Sequence, residues 1–408
     1  MRIKAYAGTD VGRKREVNED GFLVDEELGL YLVCDGMGGH AAGEVAANET
    51  ARVVAENLRV SRIDIKRELG NPGGHFRVVQ IVTDAVRVAC QQVYGMAVSQ
   101  PECAGMGSTL TLMLVIGDKA VLAHVGDSRL YLLRSNQLHQ LTVDHTLANE
   151  LVQTGRVAAG DDVLRQYENV LTRCVGGQEF VDVETLLFDI LPGDRFLLCT
   201  DGLTRYVLDN TEMVQELSSR ELATLPWHLI DLANRRGGKD NITCIVLEAS
   251  GEIKPVSQNV EQQLTAMAKS QLFEGLSVAR LMHVVNSADL KLFEQGQDVV
   301  CVGDDSSVYV VVDGECNLIQ RDGSVVELIL GDTFGELALA RDGRSAIAVK
   351  AFGPCSLLRI QRSDFRRLTR RFPRMGRRLL ENLALVLAAE IDSLTPTGFE
   401  PASLVFDD

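Results

Sequence analysis

Residues 30–36, LYLVCDG, and residues 196–202, FLLCTDG, each carry a strand-length apolar run that stops at an Asp-Gly pair. Two more aspartates mark apolar runs: Asp127 closes AHVGDSR, and Asp240 opens the run in GGKDNITCIVL. Strands that end at carboxylates would bring Asp35, Asp127, Asp201 and Asp240 to one rim of a sheet, where their mutual repulsion has to be neutralised. Hard divalent cations meet that need, because Mg²⁺ and Mn²⁺ prefer oxygen ligands and keep several waters. Taken singly, Asp35, Asp127 or Asp201 would be an ordinary turn residue; the weight lies in their joint occurrence, each at the edge of an apolar strand.

A chain of 408 residues exceeds one ordinary core and implies two domains. Its net charge of −16 argues against nucleic acid as a general partner, since that affinity comes from neutralising phosphates. Residues 1–250 carry −11 and residues 251–408 carry −5, so the acidity sits mainly where the aspartates are. The opening MRIKAYAGTDVGRKR has no apolar core of a signal peptide, and no uninterrupted apolar stretch could span a bilayer, so a cytoplasmic chain without membrane contact is expected. Nine cysteines without a CxxC spacing read as buried, reduced thiols. Seven histidines without an HExxH motif weigh against a zinc hydrolase.

Up to about Glu248 short β-branched strands alternate with helices. Strands are predicted over 107–116, 120–125 and 130–133, the last before a turn at Ser135-Asn136, and helices over 43–58, 78–94 and 227–236. Asp144 or Thr146 would cap a further helix in DHTLANELVQTGRV. The reading is an α+β chain: a layered domain over 1–249, a linker over 250–262 where apolar periodicity fades, a second domain over 263–393 and a flexible tail over 394–408. In the second domain, glycine turns separate many short strands, the mark of a small barrel or jelly roll. Nine arginines between Arg359 and Arg378 read as solvated helix faces or an acid-docking surface, and the stripe Leu379, Leu383, Leu387 and Ile391 as core or a homodimer seam.

Five motifs in order sharpen the first domain: Arg15 with Asn18-Glu19-Asp20, then CDGMGGHAAG (34–43), GDSR (126–129), TDGL (200–203) and KDNIT (239–243). Together they resemble the metal-dependent protein phosphatases of the 2C type, in their bacterial form, over essentially all of residues 1–249. That resemblance implies an α-β-β-α sandwich and a serine/threonine phosphatase with two Mn²⁺ or Mg²⁺ ions. Asp35 would bridge them, with the Gly36 carbonyl on one and Asp201 and Asp240 on the other. Glu19 and Asp20 would hold metal-bound waters, and Asp127 with Asp201 would offer a third, weaker site. The water so activated would attack phosphorus in line without a phosphoenzyme. Arg15 would grip the phosphate through its planar fork, and His40 would protonate the leaving oxygen. The stretch from Asp144 to Gly177 would correspond to the family's flap beside the active site.

The second domain resembles the cyclic nucleotide-binding domains on LFEGLS (272–277), VYVVVDG (308–314), GDTFGELAL (331–339) and RSA (344–346). By that resemblance Glu336 would take the ribose hydroxyl, Arg344 the cyclic phosphate, and Gly335, Leu337 and Ser345 would complete the cradle. LALARDG, between Glu336 and Arg344, is a residue shorter than that family's phosphate cassette and lacks its proline, which points to retention of the fold more than of the ligand. The expected function is a phosphoprotein phosphatase whose partner is a Ser/Thr kinase or that kinase's targets, regulated through the second domain. The rival reading is an inactive phosphatase-like binding protein whose second domain only dimerises or docks.

Overall fold

The chain forms two units, Met1–Ser257 and Gln258–Asp408, in a computed structural model that describes all residues except 39–41, 70, 72–73, 207–209, 253–254, 305–306, 321–322, 341–344, 346 and 395–408. The first half of unit one contains β1 (Arg2–Asp10), β2 (Asp20–Asp25), β3 (Leu30–Met37), α1 (Ala42–Val60), α2 (Arg62–Leu69) and α3 (Gly74–Ser99). The strands β4 (Gly107–Ser108), β5 (Leu110–Ile116), β6 (Lys119–Val125), β7 (Arg129–Arg134) and β8 (Gln137–Gln140) follow. Then come α4 (Leu147–Gln153), β9 (Glu184–Asp189), β10 (Arg195–Cys199), α5 (Asp201–Thr204), α6 (Asn210–Ser219), α7 (Leu225–Arg235) and β11 (Ile242–Ser250).

These strands make two antiparallel sheets, ordered β1-β11-β10-β7-β8 and β2-β3-β5-β6-β9, with β4 paired to β3. Phe188 of β9 and Phe196 of β10 meet with ring centroids 5.9 Å apart, so the sheets pack face to face. Residues alternate across β3. Leu30, Leu32 and Cys34 pack with Ala46, Val54, Leu58, Val82 and Val86 of α1 and α3, and Tyr31, Val33 and Asp35 point the other way, toward the opposite sheet. On the far side α7 covers Cys199, Cys244 and Val246 with Leu229, Ile230 and Ala233. Strands covered on both faces are why LYLVC and FLLC read as unbroken apolar runs. The architecture is the α-β-β-α sandwich.

Two local readings needed correction. The strand predicted over 107–116 is broken at Thr109, whose backbone N–H donates to Asp35 O and whose Oγ1 accepts from Asp35 N, both at 2.8 Å. The break gives Asp35 a fixed anchor at the strand end. The linker expected over 250–262 does contain the junction of the two units, between Ser257 and Gln258, but it is helical from Pro255, because proline suits a first helical position, where its missing N–H costs nothing. Elsewhere local chemistry acted as read: Ser135 and Asn136 sit at φ 49° and 61°, the mirror-image turn a hairpin needs, and Thr146 caps α4 by accepting from Asn149 N.

Unit two begins within α8 (Pro255–Lys269) and carries α9 (Val278–Val285), β12 (Asp289–Phe293), β13 (Asp298–Val300), β14 (Ser307–Asp313), β15 (Cys316–Ile319) and β16 (Val325–Leu328). It continues with β17 (Thr333–Phe334), α10 (Leu337–Ala340), β18 (Ala348–Ala351), β19 (Cys355–Gln361), α11 (Arg362–Arg371) and α12 (Pro373–Leu394). Sheets β12-β19-β14-β17 and β13-β18-β15-β16 enclose one core of Val311, Phe334 and Leu357 with Cys316, Leu328 and Val349, which is the expected β-roll. Leu379 and Leu383 of α12 are buried, and Asn382 Nδ2 donates to the carbonyls of Leu272 and Glu274 at 3.1 and 2.9 Å. The upper part of the leucine stripe therefore serves the unit's own core.

One buried ion pair clamps the end of the sandwich away from the aspartates. Arg134 and Asp194, 7% and 2% exposed, bond through Nε–Oδ1 at 2.8 Å and Nη2–Oδ2 at 2.6 Å, and Arg134 Nη2 also reaches Asp189 O. Removing one partner strands a buried charge. Asp194→Ala is expected to cost about 3–5 kcal/mol of unit-one stability, read by urea unfolding through the fluorescence of Trp227, the chain's single tryptophan; a loss below about 1 kcal/mol would remove the clamp from the account.

Candidate metal centre

Five carboxylates reach the same end of the sandwich because the topology delivers them there. Asp20 opens β2 directly opposite Asp35 near the end of β3, Asp201 follows β10, Asp240 precedes β11, and Asp127 sits where the chain crosses from β6 in one sheet to β7 in the other. That crossing needs Gly126, at φ +111°, because a Cβ there would lie 2.6 Å from Thr109 Cγ2. Gly36 is forced in the same way: a Cβ would stand 2.0 Å from Gly43 O and 2.6 Å from Glu19 O.

Neutral donors then fix the carboxylates. Thr200 Oγ1 donates to Asp20 Oδ2 at 2.9 Å and so bridges the two sheets at the site, while Thr200 itself is held by Thr243. Asn241 accepts from Glu19 N at 2.9 Å and donates to Val11 O and Val17 O, locking the loop that carries Arg15 and Glu19 onto the loop that carries Asp240. Arg15, about half exposed, lays its guanidinium 2.9 Å from Asp240 Oδ1 and 3.7 Å from Glu19 Oε2. Thr109, Thr200, Asn241 and Arg205 were not singled out from the sequence; Thr200 and Asn241 flank Asp201 and Asp240 inside the quoted motifs, which was the available signal. Arg205 binds Asp201 Oδ2 through Nε at 3.0 Å and through Nη2.

Crowded carboxylates in a dry setting hold protons. Burial, with the charges of Asp20, Asp201, Asp127 and Asp240 behind it, lifts Asp35 well above the usual carboxylate range. Burial pushes Asp20 up to about 7 against the pull of Thr243 and Thr200, and pushes Asp127 up to about 7 with help from Asp201 and Asp144. Asp201 is raised too, by burial, although Arg205 opposes it.

The residues fit a divalent metal. Glu19 Oε1, Asp20 Oδ1 and Asp201 Oδ1 are buried acceptors without a hydrogen-bond partner, a costly state that a cation or its waters would relieve. All the donors are oxygens, the set that Mg²⁺ and Mn²⁺ favour. Among the described residues no three His, Cys, Asp or Glu side chains already close into a cage; two arginines partly neutralise them instead. His40, the expected general acid, lies outside the described residues.

Residues 7–229, more than half of the chain, match the family profile of protein phosphatase 2C. This chain belongs to the protein phosphatase 2C family. It is 34% identical to the serine/threonine phosphatase stp of Listeria monocytogenes over 244 residues, which are 59% of this chain and 93% of that protein. It is likewise 34% identical to the serine/threonine protein phosphatase PstP of Mycobacterium tuberculosis over 258 residues, 62% of this chain and 47% of that one. The crystal structure of the Mycobacterium tuberculosis phosphatase superposes with a TM-score of 0.54 at 33% identity, covering 61% of this chain and 99% of that chain. The PstP catalytic domain in complex with two manganese ions gives 0.52 at 34% identity, with the same coverage.

Residues 290–372 match the cyclic nucleotide-binding domain. Here Glu336 is 4% exposed, and Gly335, at φ +85°, lets the chain pass where a Cβ would stand 2.3 Å from Ser307 O. Leu337 is about half exposed, and Ser345 Oγ donates to Ile347 O at 3.1 Å. Arg344 lies outside the described residues.

The raised carboxyls of the phosphatase 2C unit set a pH dependence. A folded-state value of about 7 against an ordinary 3.8 means that folded Asp20 keeps a proton the unfolded chain releases across that window, so the metal-free stability contribution is present at low pH and falls as pH rises. In EDTA, Asp20→Asn is expected to be more stable than the parent at pH 7.5 by more than at pH 5, measured as the difference in Tm. An equal difference at both would contradict the assignment.

Proposed function

We propose that the first unit is a metal-dependent phosphatase acting on phosphoserine and phosphothreonine in proteins. The observation that carries this reading is the set of unpartnered buried oxygens on Glu19, Asp20 and Asp201 beside a carboxylate, Asp35, flanked by like charges. The names of the relatives support it: they are serine/threonine phosphatases, and the PstP catalytic domain binds two manganese ions. Asp35, the Gly36 carbonyl, Asp201 and Asp240 would hold two Mn²⁺ or Mg²⁺ ions, with Glu19 and Asp20 on their waters. When bound there, such ions supply a water acidified toward neutral pH and positive charge for the ester oxygens.

The chain's own residues supply the rest. Arg15, half exposed and paired with Asp240, would on release from it present two parallel N–H groups to a phosphate at the mouth of the site. Thr200 keeps one oxygen of Asp20 engaged, leaving the other directed to the centre. Asn241 sets the Glu19 backbone against the Asp240 loop, so phosphate grip and metal ligands share one frame. His40 would protonate the leaving serine or threonine oxygen. An inert scaffold is disfavoured, since every acid that the metals require stands at the site.

The fitting partners are a Ser/Thr kinase or that kinase's targets, and the cytoplasm is the setting that suits nine cysteines without a disulfide. Among the described residues no helix is long and apolar enough to cross a membrane. The second unit would act as a ligand sensor, supported by its match to the cyclic nucleotide-binding domain and by the buried Glu336.

Hydrolysis of p-nitrophenyl phosphate and a phosphothreonine peptide is expected with Mn²⁺ or Mg²⁺ and to vanish in EDTA. Asp35→Asn and Asp201→Asn should each lose at least about 100-fold in kcat; full activity in EDTA or in either variant would sink the reading. Calorimetry with cyclic AMP and cyclic GMP tests the sensor: heat with one of them supports it, and no heat and no Tm shift at millimolar concentration with either refutes it.

A further inference from the structure

Arg205 lies one residue past α5, four residues after Asp201, and its guanidinium meets two of the site's acids. Nε donates to Asp201 Oδ2 at 3.0 Å and Nη2 to the same oxygen. Nη1 stands 3.9 Å from Asp240 Oδ2, and Asp127 feels its charge. The region between Asp127 and Asp201, where a third and weaker cation was expected, is thus already faced by a fixed positive charge. Asp201 Oδ1 stays unpartnered for the two-ion centre, whereas a further divalent ion on the Asp127 side would need Oδ2, which the guanidinium already holds, and like charges that close repel.

The same side chain reaches outward. Nη2 also donates to Asn169 Oδ1 at 3.0 Å. Asn169 lies just after the 3-10 turn Asp162–Tyr167, in the segment that follows α4. That segment walls a cleft of about 480 Å³ whose lining includes Asp127, Asp144, Asn149, Asn169, Asp201 and Arg205. One planar fork therefore ties a metal-site carboxylate to the wall of the neighbouring cleft. Burial works against the charge of Arg205, and Asp201, Asp240 and Asp127 outweigh it and keep the guanidinium charged.

We propose that Arg205 is a positioning residue that stands in for a third metal ion: it is the resident cation beside Asp201 and Asp127, it limits the centre to two divalent ions, and it pins the 162–170 segment through Asn169. The inference rests on the metal-centre reading above. It makes the shape of the cleft, and so the choice of phosphopeptide, depend on a side chain that never dissociates, where a weakly bound ion would tie it to metal concentration.

The test counts ions on the full-length protein. Mn²⁺ titration by calorimetry and native mass spectrometry should give two ions for the parent chain and a third, weaker one for Arg205→Asn. Three ions on the parent, or only two on a folded Arg205→Asn variant, would overturn the substitution of guanidinium for metal. No Mn²⁺ on the parent would instead overturn the metal-centre reading itself. Asn169→Ala, an exposed change that leaves the carboxylates intact, probes the tether independently of how Arg205→Asn folds. Hydrogen–deuterium exchange across 162–170 should rise at least several-fold while the ion count stays at two, and unchanged exchange would refute the pin.

Discussion

Repulsion among buried carboxylates is the constraint around which unit one is arranged. Asp20 and Asp35 face each other across paired strands, Asp201 and Asp240 come from neighbouring strands of the other sheet, and Asp20 Oδ1 and Asp201 Oδ1 are buried without a hydrogen-bond partner. Such a cluster is tolerable only with protons or cations in it. Burial and neighbouring charges raise the carboxyls toward holding protons, and arginines sit on Asp201 and Asp240. Were these acids to hold divalent ions, Asp240 would no longer need Arg15 as its counter-charge, and the guanidinium would be free for a phosphate.

The sandwich provides what that cluster demands. The two sheets meet at Phe188 against Phe196, and near the same end Arg134, paired with Asp194 beside its own neighbouring strand, donates across to Asp189 O of β9, which holds the strands at fixed separation. Thr200 to Asp20 closes the gap at the site with one hydrogen bond, and Thr109 holds the Asp35 backbone on both sides. Glycines at 36 and 126 appear where backbone must pass within contact distance of backbone or side chain. Rigid strands therefore carry the acids, while the cleft wall, on irregular chain, is left to a tether from Arg205.

What the sequence revealed follows a physical divide. Runs such as LYLVCDG and FLLCTDG expose both the strand and the acid that ends it, because burial on two faces removes every polar residue except the one with a task. The residues that hold those acids were not visible, since Thr109, Thr200 and Asn241 are common polar residues whose role depends on contacts more than 40 positions away. Arg205 was hidden in the same way: four residues past Asp201 it reads as a helical surface charge, and only the crossing of β6 to β7 brings Asp127 beside it. The helix through 255–262 is not legible because apolar periodicity fades at the junction of the two units, while a proline at its first turn favours helix as readily as it breaks one. In the second unit the glycine-spaced strands displayed the roll, and ligand binding was not legible because it turns on how the backbone around Glu336 and Arg344 is placed.

Anomalous diffraction from crystals grown in Mn²⁺ tests the central claim most directly. The account predicts two manganese peaks in contact with Asp35, with Asp201 and Asp240 bound to one of them. A map without manganese between the two sheets, or with Asp35 turned away from it, would contradict the account.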